Sequence, residues 1–125
     1  RAKGCCEYCR NPAKLVGPFS IDHIQPKSRS GIDHPDNLAF ACLICNRNKY
    51  NLTEAIDVLT NSLAPLFNPR KQLWREHFRR DDSYTFVIGV TPTGRATVDS
   101  LQLNRIETVT LRAILFNYGE HPPED

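Results

Sequence analysis

The sequence predicts an α+β fold, with a cysteine-rich N-terminal core and a small mixed α/β C-terminal extension. Two C-x-x-C pairs within the first 50 residues predict the core, together with two short predicted strands at residues 19–24 and 38–41 that lie between the pairs. Helix and strand signals alternate from Asn68 onward and predict the extension. The 125 residues suffice for one domain with an appendage, which we divide into a core at 1–52 and an extension at 53–125.

The cysteine pairs indicate a structural zinc site. Cys6/Cys9 and Cys42/Cys45 offer four thiolates, the ligand set of closed tetrahedral zinc centres. Cys5 is left over, because Cys6 gives the two-residue gap that matches the second pair. A disulfide framework is the competing interpretation, but no export signal opens the chain, so we expect reduced thiols and a cytoplasmic protein. Zinc is then expected to stabilise the polar insert between the pairs.

The core elements follow in order. We expect a zinc knuckle at 4–12, a first strand at 19–24, a polar loop at 27–36, a second strand at 38–41 and a helix that starts near Cys45.

The extension is less regular. Apolar residues in 52–63 lie at helical spacing, but the run is poorly bounded: Leu52, Ala55, Ile56, Leu59 and Leu63. Asn68 is a candidate helix cap with Pro69 in the first turn, and three side chains then share one face: Trp74, His77 and Phe78.

Further along, residues 84–90 alternate as a strand and Thr91-Pro92 starts a helix. Asn104 is expected to cap a last helix that Gly119 ends, with an apolar stripe of Leu111, Ile114, Leu115 and Tyr118. Residues 122–125 are expected to form an irregular tail.

Charge is distributed unevenly along the chain. The net charge is +2, but residues 1–80 carry 13 Lys/Arg and 7 Asp/Glu whereas residues 81–125 carry 3 and 7. The basic half contains the cysteines, as a phosphate-binding surface requires, and a solvated surface is the competing interpretation. No apolar run approaches a membrane span. Because the sequence opens at Arg1 and contains no Met, we expect residues to precede Arg1.

Three side chains near the cysteines suit phosphodiester hydrolysis. Asp22 supplies an anionic oxygen for a hard cation such as Mg²⁺, and Asn46 supplies an amide oxygen from the first turn of the helix. His23 has a side chain suited to take a proton from water. Adjacent strand residues point to opposite faces, so Asp22 and His23 are expected to approach a phosphate from different sides.

These residues resemble the HNH endonuclease family with a four-cysteine zinc site, in its H-N-N variant, and small stand-alone bacterial HNH proteins. The matching segments are Cys6-Glu7-Tyr8-Cys9, Ile21-Asp22-His23-Ile24-Gln25-Pro26-Lys27-Ser28, Asp36-Asn37-Leu38 and Cys42-Leu43-Ile44-Cys45-Asn46-Arg47-Asn48-Lys49. The resemblance implies a ββα-metal fold and a one-metal mechanism on DNA. It implies that Asp22 and Asn46 hold Mg²⁺ or Mn²⁺, that His23 is the general base, and that Asn37 braces the loop and the base. Tyr50 departs from the Gly that is frequent in the family.

The expected function is therefore that of a metal-dependent HNH endonuclease. Candidate DNA contacts, each with a solvated surface as the alternative, are Lys27, Arg29, Arg47, Lys49, Arg70 and Lys71. RNA remains open as a substrate, no membrane partner is expected, and a homodimer is possible for double-strand cutting. The alternative function is a non-catalytic zinc-stabilised module that binds nucleic acid or a protein.

Overall fold

A strand hairpin followed by a helix forms the centre of the N-terminal part. The computed structural model describes residues 1–123, so the last two residues of the expected tail lie outside the described part. A short helix α1 (Ala13–Val16) precedes strand β1 (Phe19–His23), which pairs antiparallel with β2 (Leu38–Cys42). Helix α2 (Leu43–Lys49) follows β2 directly. The two predicted strands and the helix near Cys45 are thus confirmed within one or two residues.

Alternation along the hairpin decides which side chains meet α2. Ala39 and Ala41 are buried on one face of β2, and Asp22 and Ser20 lie opposite them in the antiparallel register. On the other face, the rings of Phe19 and Phe40 lie 4.5 Å apart. Since neighbouring strand residues point to opposite faces, Asp22 points to α2 and His23 does not.

Residues 52–63 form a hairpin and not a helix. Strand β3 (Glu54–Asp57) pairs antiparallel with β4 (Ser62–Pro65). The Asp57 carboxylate accepts hydrogen bonds from Leu59 N and Thr60 Oγ1 within the connecting turn. Helical spacing of apolar residues was therefore misleading, because Leu59 is 73% exposed and marks no buried face.

The helix expected from Asn68 is reduced to one turn. The Asn68 side chain accepts from Arg70 N at 2.9 Å and closes a turn, and helix α3 spans only Trp74–His77. Strands β5 (Phe78–Arg80) and β6 (Val87–Gly89) then pair antiparallel. The strand expected over 84–90 is correspondingly shorter, because Tyr84 has φ of +62° and lies in the connecting turn.

The last two helices differ in how well they were predicted. Helix α4 (Pro92–Leu101) starts as expected, since Thr91 Oγ1 accepts from Gly94 N. Helix α5 (Ile106–Asn117) has Arg105 at its N-cap, so the predicted Asn104 cap is wrong. Asn104 instead accepts from Val87 N at 2.8 Å.

The stripe predicted on α5 is right for Leu115, which is buried, and wrong for Ile114 and Tyr118. Tyr118 is 80% and Ile114 48% exposed, whereas Thr108, Arg112 and Leu115 are the buried residues of this helix. A buried arginine on the inner face masks the apolar periodicity from which the stripe was predicted.

The extension packs on the cysteine-containing part through apolar contacts and hydrogen bonds. Trp74, 3% exposed as its predicted core role requires, donates from Nε1 to Tyr8 O at 3.0 Å. Asn48 of α2 donates to Leu101 O of α4 at 2.9 Å. No helix among residues 1–123 is long and apolar enough to cross a membrane.

Candidate active site

Four buried cysteine sulfurs form a cluster suited to zinc. The Sγ atoms of Cys6, Cys9, Cys42 and Cys45 all lie within 4.8 Å of one another, and each residue is at most 3% exposed. Zn–S bonds of about 2.3 Å in a tetrahedron place sulfurs about 3.8 Å apart. Cys9 Sγ and Cys42 Sγ lie 3.9 Å apart, a separation that matches zinc ligation and is too long for a disulfide. Cys5 lies outside the cluster, as expected.

An arginine from the extension supports this cluster. The Arg105 guanidinium donates to Cys42 Sγ at 3.4 Å and to Cys45 Sγ at 3.6 Å. Zinc with four thiolates carries net negative charge, so a cation at this position stabilises the loaded centre. Arg112, 1% exposed, donates to Cys9 O at 3.4 Å and to Leu103 O at 2.8 Å. The cysteine cluster and the extension are therefore joined directly.

Asp22 lies in a buried polar network. It is 3% exposed, its Oδ2 accepts from Tyr8 OH at 2.7 Å, and the Lys49 ammonium lies 3.2 Å from the same oxygen. Burial, followed by the negative charge of Asp22, raises the pKa of Tyr8 well above its usual value, so the phenol remains a donor. Lys49 is only 1% exposed and also donates to the carbonyls of His23 and Ile24. Lys49 therefore holds the end of β1 against α2.

The hydrogen bonds of Asp22 affect the binding of a divalent ion at its carboxylate. A carboxylate oxygen and the Asn46 amide are the donor chemistry that Mg²⁺ prefers. The Asp22 carboxylate already binds the Lys49 ammonium, and two cations at one buried carboxylate repel each other. A divalent ion at Asp22 would therefore compete with the Lys49 ammonium for this carboxylate. Asn46 donates from Nδ2 to Ser20 Oγ at 2.7 Å, which turns its amide nitrogen toward β1.

His23 lies at the C-terminal end of β1 with its side chain 27% exposed. Its Nε2 is 2.7 Å from Asp33 Oδ1, and Lys27 Nζ is 3.1 Å from the same oxygen. Hydrogen bonds from His23 and then from Lys27 lower the pKa of Asp33, so this carboxylate is ionised at neutral pH. Asp33 is therefore an acceptor for the imidazole.

Asn37 joins the two ends of the loop after β1. Its Oδ1 accepts from Gln25 N at 2.8 Å, and its Nδ2 donates to Gln25 O at 3.0 Å and to Ile32 O at 2.9 Å. Gly31 makes the same closure possible, because a Cβ there would lie 1.7 Å from Gln25 O. Asn37 and Gly31 thus hold Gln25 close to the segment around Ile32.

The basic residues singled out from the sequence have different surroundings. Lys49 is buried and Lys27 pairs with Asp33, whereas Arg47 and Lys71 are exposed. Arg29 donates from Nε to Asn51 O at 2.9 Å. Arg70, 8% exposed, pairs with Glu7. Lys49 was a candidate DNA contact with a solvated surface as the alternative, and its burial fits neither interpretation.

Arg70 and Lys71 border a basic cavity of about 610 Å³ beneath which Trp74 is buried. Its lining includes five cationic and two acidic side chains: Arg1, Lys3, Arg10, Arg70 and Lys71, with Glu7 and Asp36. Asp36 and Lys71 also border a second cavity that Asn37 lines. The basic cavity thus adjoins the loop that follows His23.

Sequence reasoning missed Asp33, Tyr8 and Arg105. Tyr8 lies inside the first C-x-x-C pair, but no local signal links it to Asp22, 14 residues away. Asp33 lies in a polar loop where carboxylates are common, and Arg105 is 60 residues from Cys45. Their roles depend on contacts that short-range patterns do not encode.

Comparison with known proteins finds one similarity, in the N-terminal part of the chain. Residues 6–52 match the family model described as HNH endonuclease. No curated protein and no solved structure shows significant similarity to the chain. The matched range contains all four clustered cysteines and the hairpin with its helix. Residues 6–52 of this chain are therefore similar to the HNH endonuclease family, in agreement with the resemblance found in the sequence.

Proposed function

We propose that this chain is a metal-dependent endonuclease that hydrolyses phosphodiester bonds in DNA, with His23 as the general base. The observation that carries the proposal is the setting of His23 within the matched range. Its imidazole reaches solvent, while Lys49 fixes its backbone carbonyl and Asn37 braces the following loop. A partly exposed imidazole on a fixed backbone is suited to take a proton from a water molecule that attacks phosphorus.

Asp22 and Asn46 are the residues that we propose would hold Mg²⁺ or Mn²⁺. When bound, such an ion supplies charge stabilisation for the phosphate and the leaving oxygen. The N-terminal part of the chain resembles the ββα-metal arrangement, because β1, β2 and α2 follow in that order. Both proposed ligands lie where the β1–β2 hairpin meets α2.

Zinc at the four cysteines has a structural role in this proposal. The cluster joins the knuckle at residues 6–9 to the start of α2, where Cys42 Sγ accepts from Cys45 N at 3.4 Å. Because Asn46 follows Cys45 directly, the cluster fixes the first turn that carries this proposed ligand.

The basic cavity supports nucleic acid as the substrate. Five cationic side chains against two acidic ones favour a polyanion, and the cavity adjoins the loop after His23. A DNA strand that passes His23 would place neighbouring phosphates near Lys71. Of the two candidate contacts that border the basic cavity, Arg70 and Lys71, Lys71 is the more exposed. Matched DNA and RNA substrates distinguish the two polyanions.

The alternative function is a non-catalytic zinc-stabilised module that binds nucleic acid or a protein. The buried contacts of Asp22 with Lys49 and Tyr8 favour it, because they give this carboxylate a structural role without a metal. The module needs the cysteines and the Lys49 contacts but has no use for an exposed base at His23.

Plasmid nicking tests the proposal. Zinc-loaded wild type, His23→Ala and the control His34→Ala are compared with Mg²⁺ or Mn²⁺, with and without a chelator. His34 is an exposed loop histidine that contacts Asp36 and not Asp33, so it matches His23 in residue type and region. We expect His23→Ala to lose about 100-fold or more in rate, as removal of a general base does, and His34→Ala to cut like wild type. Equal rates for wild type and His23→Ala contradict the assignment, and binding without cutting by all three supports the module.

A further inference from the structure

Asp33 is an exposed loop residue that binds the imidazole of His23. The distance from Asp33 Oδ1 to His23 Nε2 is 2.7 Å, although the Asp33 side chain is 66% exposed. Exposed ion pairs contribute little to folding stability. The consequence of this contact is therefore expected in the orientation of the ring and not in the stability of the fold.

The loop is constructed so that the two residues meet. Asn37 bonds to both backbone groups of Gln25, two residues after His23, and to the carbonyl of Ile32, one residue before Asp33. Gly31 N donates to Pro26 O at 2.9 Å, which closes the loop in between. Asn37 thus fixes the backbone on both sides of the contact, and the His23–Asp33 distance does not depend on one flexible side chain alone.

The contact determines which ring nitrogen carries the proton. An ionised carboxylate has no proton to donate, so the nitrogen that faces it must be the donor. Hydrogen bonds from His23 and Lys27 lower the pKa of Asp33 and keep it ionised. The neutral imidazole therefore carries its proton on Nε2, and Nδ1 has the free lone pair.

We propose that Asp33 is the positioning residue of His23, holding the Nε2–H tautomer so that Nδ1 accepts the proton of the attacking water. This inference rests on the proposed nuclease function. In the step, an O–H bond of water breaks and its proton moves to Nδ1, while the water oxygen bonds to phosphorus. The P–O bond to the leaving oxygen breaks, and that oxygen keeps the electron pair. Asp33 stabilises the resulting imidazolium through the same Nε2–H bond.

Variants of two exposed aspartates test the proposal. Asp33→Ala removes the contact, Asp33→Glu keeps a carboxylate, and Asp82→Ala is the control, because Asp82 is an exposed carboxylate between β5 and β6 and does not line the basic cavity. Steady-state DNA cleavage gives kcat and KM. Ring ¹⁵N NMR of zinc-loaded protein, with the His23 signals assigned through His23→Ala, gives the tautomer.

For Asp33→Ala we expect kcat to fall about 10- to 100-fold with an unchanged KM, as for other groups that orient a histidine. We also expect the His23 ring to change from the Nε2–H form to a mixture of tautomers. Asp33→Glu should recover part of both, and Asp82→Ala should match wild type. If wild type cuts DNA and Asp33→Ala has the same kcat or the same His23 tautomer, the inference about Asp33 is overturned and the proposed nuclease function is not. A wild type that cuts no DNA overturns the proposed function, and the NMR comparison then still reports whether Asp33 holds the ring.

Discussion

Replacement of Lys49 by Met is the most informative perturbation of the fold around the site. Lys49 Nζ contacts the Asp22 carboxylate at 3.2 Å and donates to the carbonyls of His23 and Ile24 at 3.1 and 3.0 Å. Both charged side chains are at most 3% exposed, so Lys49→Met leaves a buried carboxylate with Tyr8 as its hydrogen-bond donor. Breaking a buried ion pair from one side costs about 3–5 kcal/mol. That is a large part of the roughly 5–15 kcal/mol by which most domains are stable.

Urea unfolding of the zinc-loaded protein measures this cost. The exposed Lys14→Met is the control and should change stability by no more than about 0.5 kcal/mol. The double variant Asp22→Asn/Lys49→Met should recover part of the loss, because neither charge is then buried alone. If the free energy of unfolding of Lys49→Met lies within about 1 kcal/mol of wild type, the buried ion pair is refuted. Lys49 would then be an exposed side chain and again a candidate phosphate contact.

Three further outcomes are expected. Arg105→Gln removes the guanidinium from Cys42 and Cys45, so zinc should be held about tenfold more weakly in competition with a chelator, and equal affinity would show that this contact is incidental. Gly31→Ala places a Cβ 1.7 Å from Gln25 O, so the loop after His23 must move. The rate of DNA cleavage should fall while the zinc content stays the same, and a wild-type cleavage rate would exclude a role for this loop geometry. Tyr50 has φ of +47° and ψ of −116°, a backbone conformation that favours glycine. Tyr50→Gly should therefore raise the free energy of unfolding, measured in urea, by about 1 kcal/mol, and an unchanged value would mean that the strain is relieved elsewhere.

Short-range patterns predicted the cysteine cluster, the hairpin and α2 well. The C-x-x-C spacing, the apolar runs and the start of the helix all depend on residues a few positions apart. The same patterns failed at residues 52–63, where the Asp57 carboxylate pairs with Arg95 at 2.8 Å and ties a hairpin to α4. Contacts between residues 38 positions apart override helical spacing that no buried face supports.

The chemistry of the candidate site was predicted less completely than its location. Asp22, His23, Asn37 and Asn46 lie in or beside the hairpin and α2, but the partners of Asp22 and His23 were not anticipated. A lysine at a helix end is exposed in most proteins, so nothing local indicates that Lys49 is buried. Asp33 is one of several polar loop residues, and only the folded loop shows that it meets His23.

Cleavage of a DNA oligonucleotide in ¹⁸O-labelled water tests the central claim most directly. With Mg²⁺ or Mn²⁺ and zinc-loaded protein under single-turnover conditions, water that His23 activates should leave one ¹⁸O in the new terminal phosphate, read by mass spectrometry. His23→Ala should form this labelled product at least about 100-fold more slowly. A product without label, or labelled product formed by His23→Ala at the wild-type rate, would contradict hydrolysis by this residue.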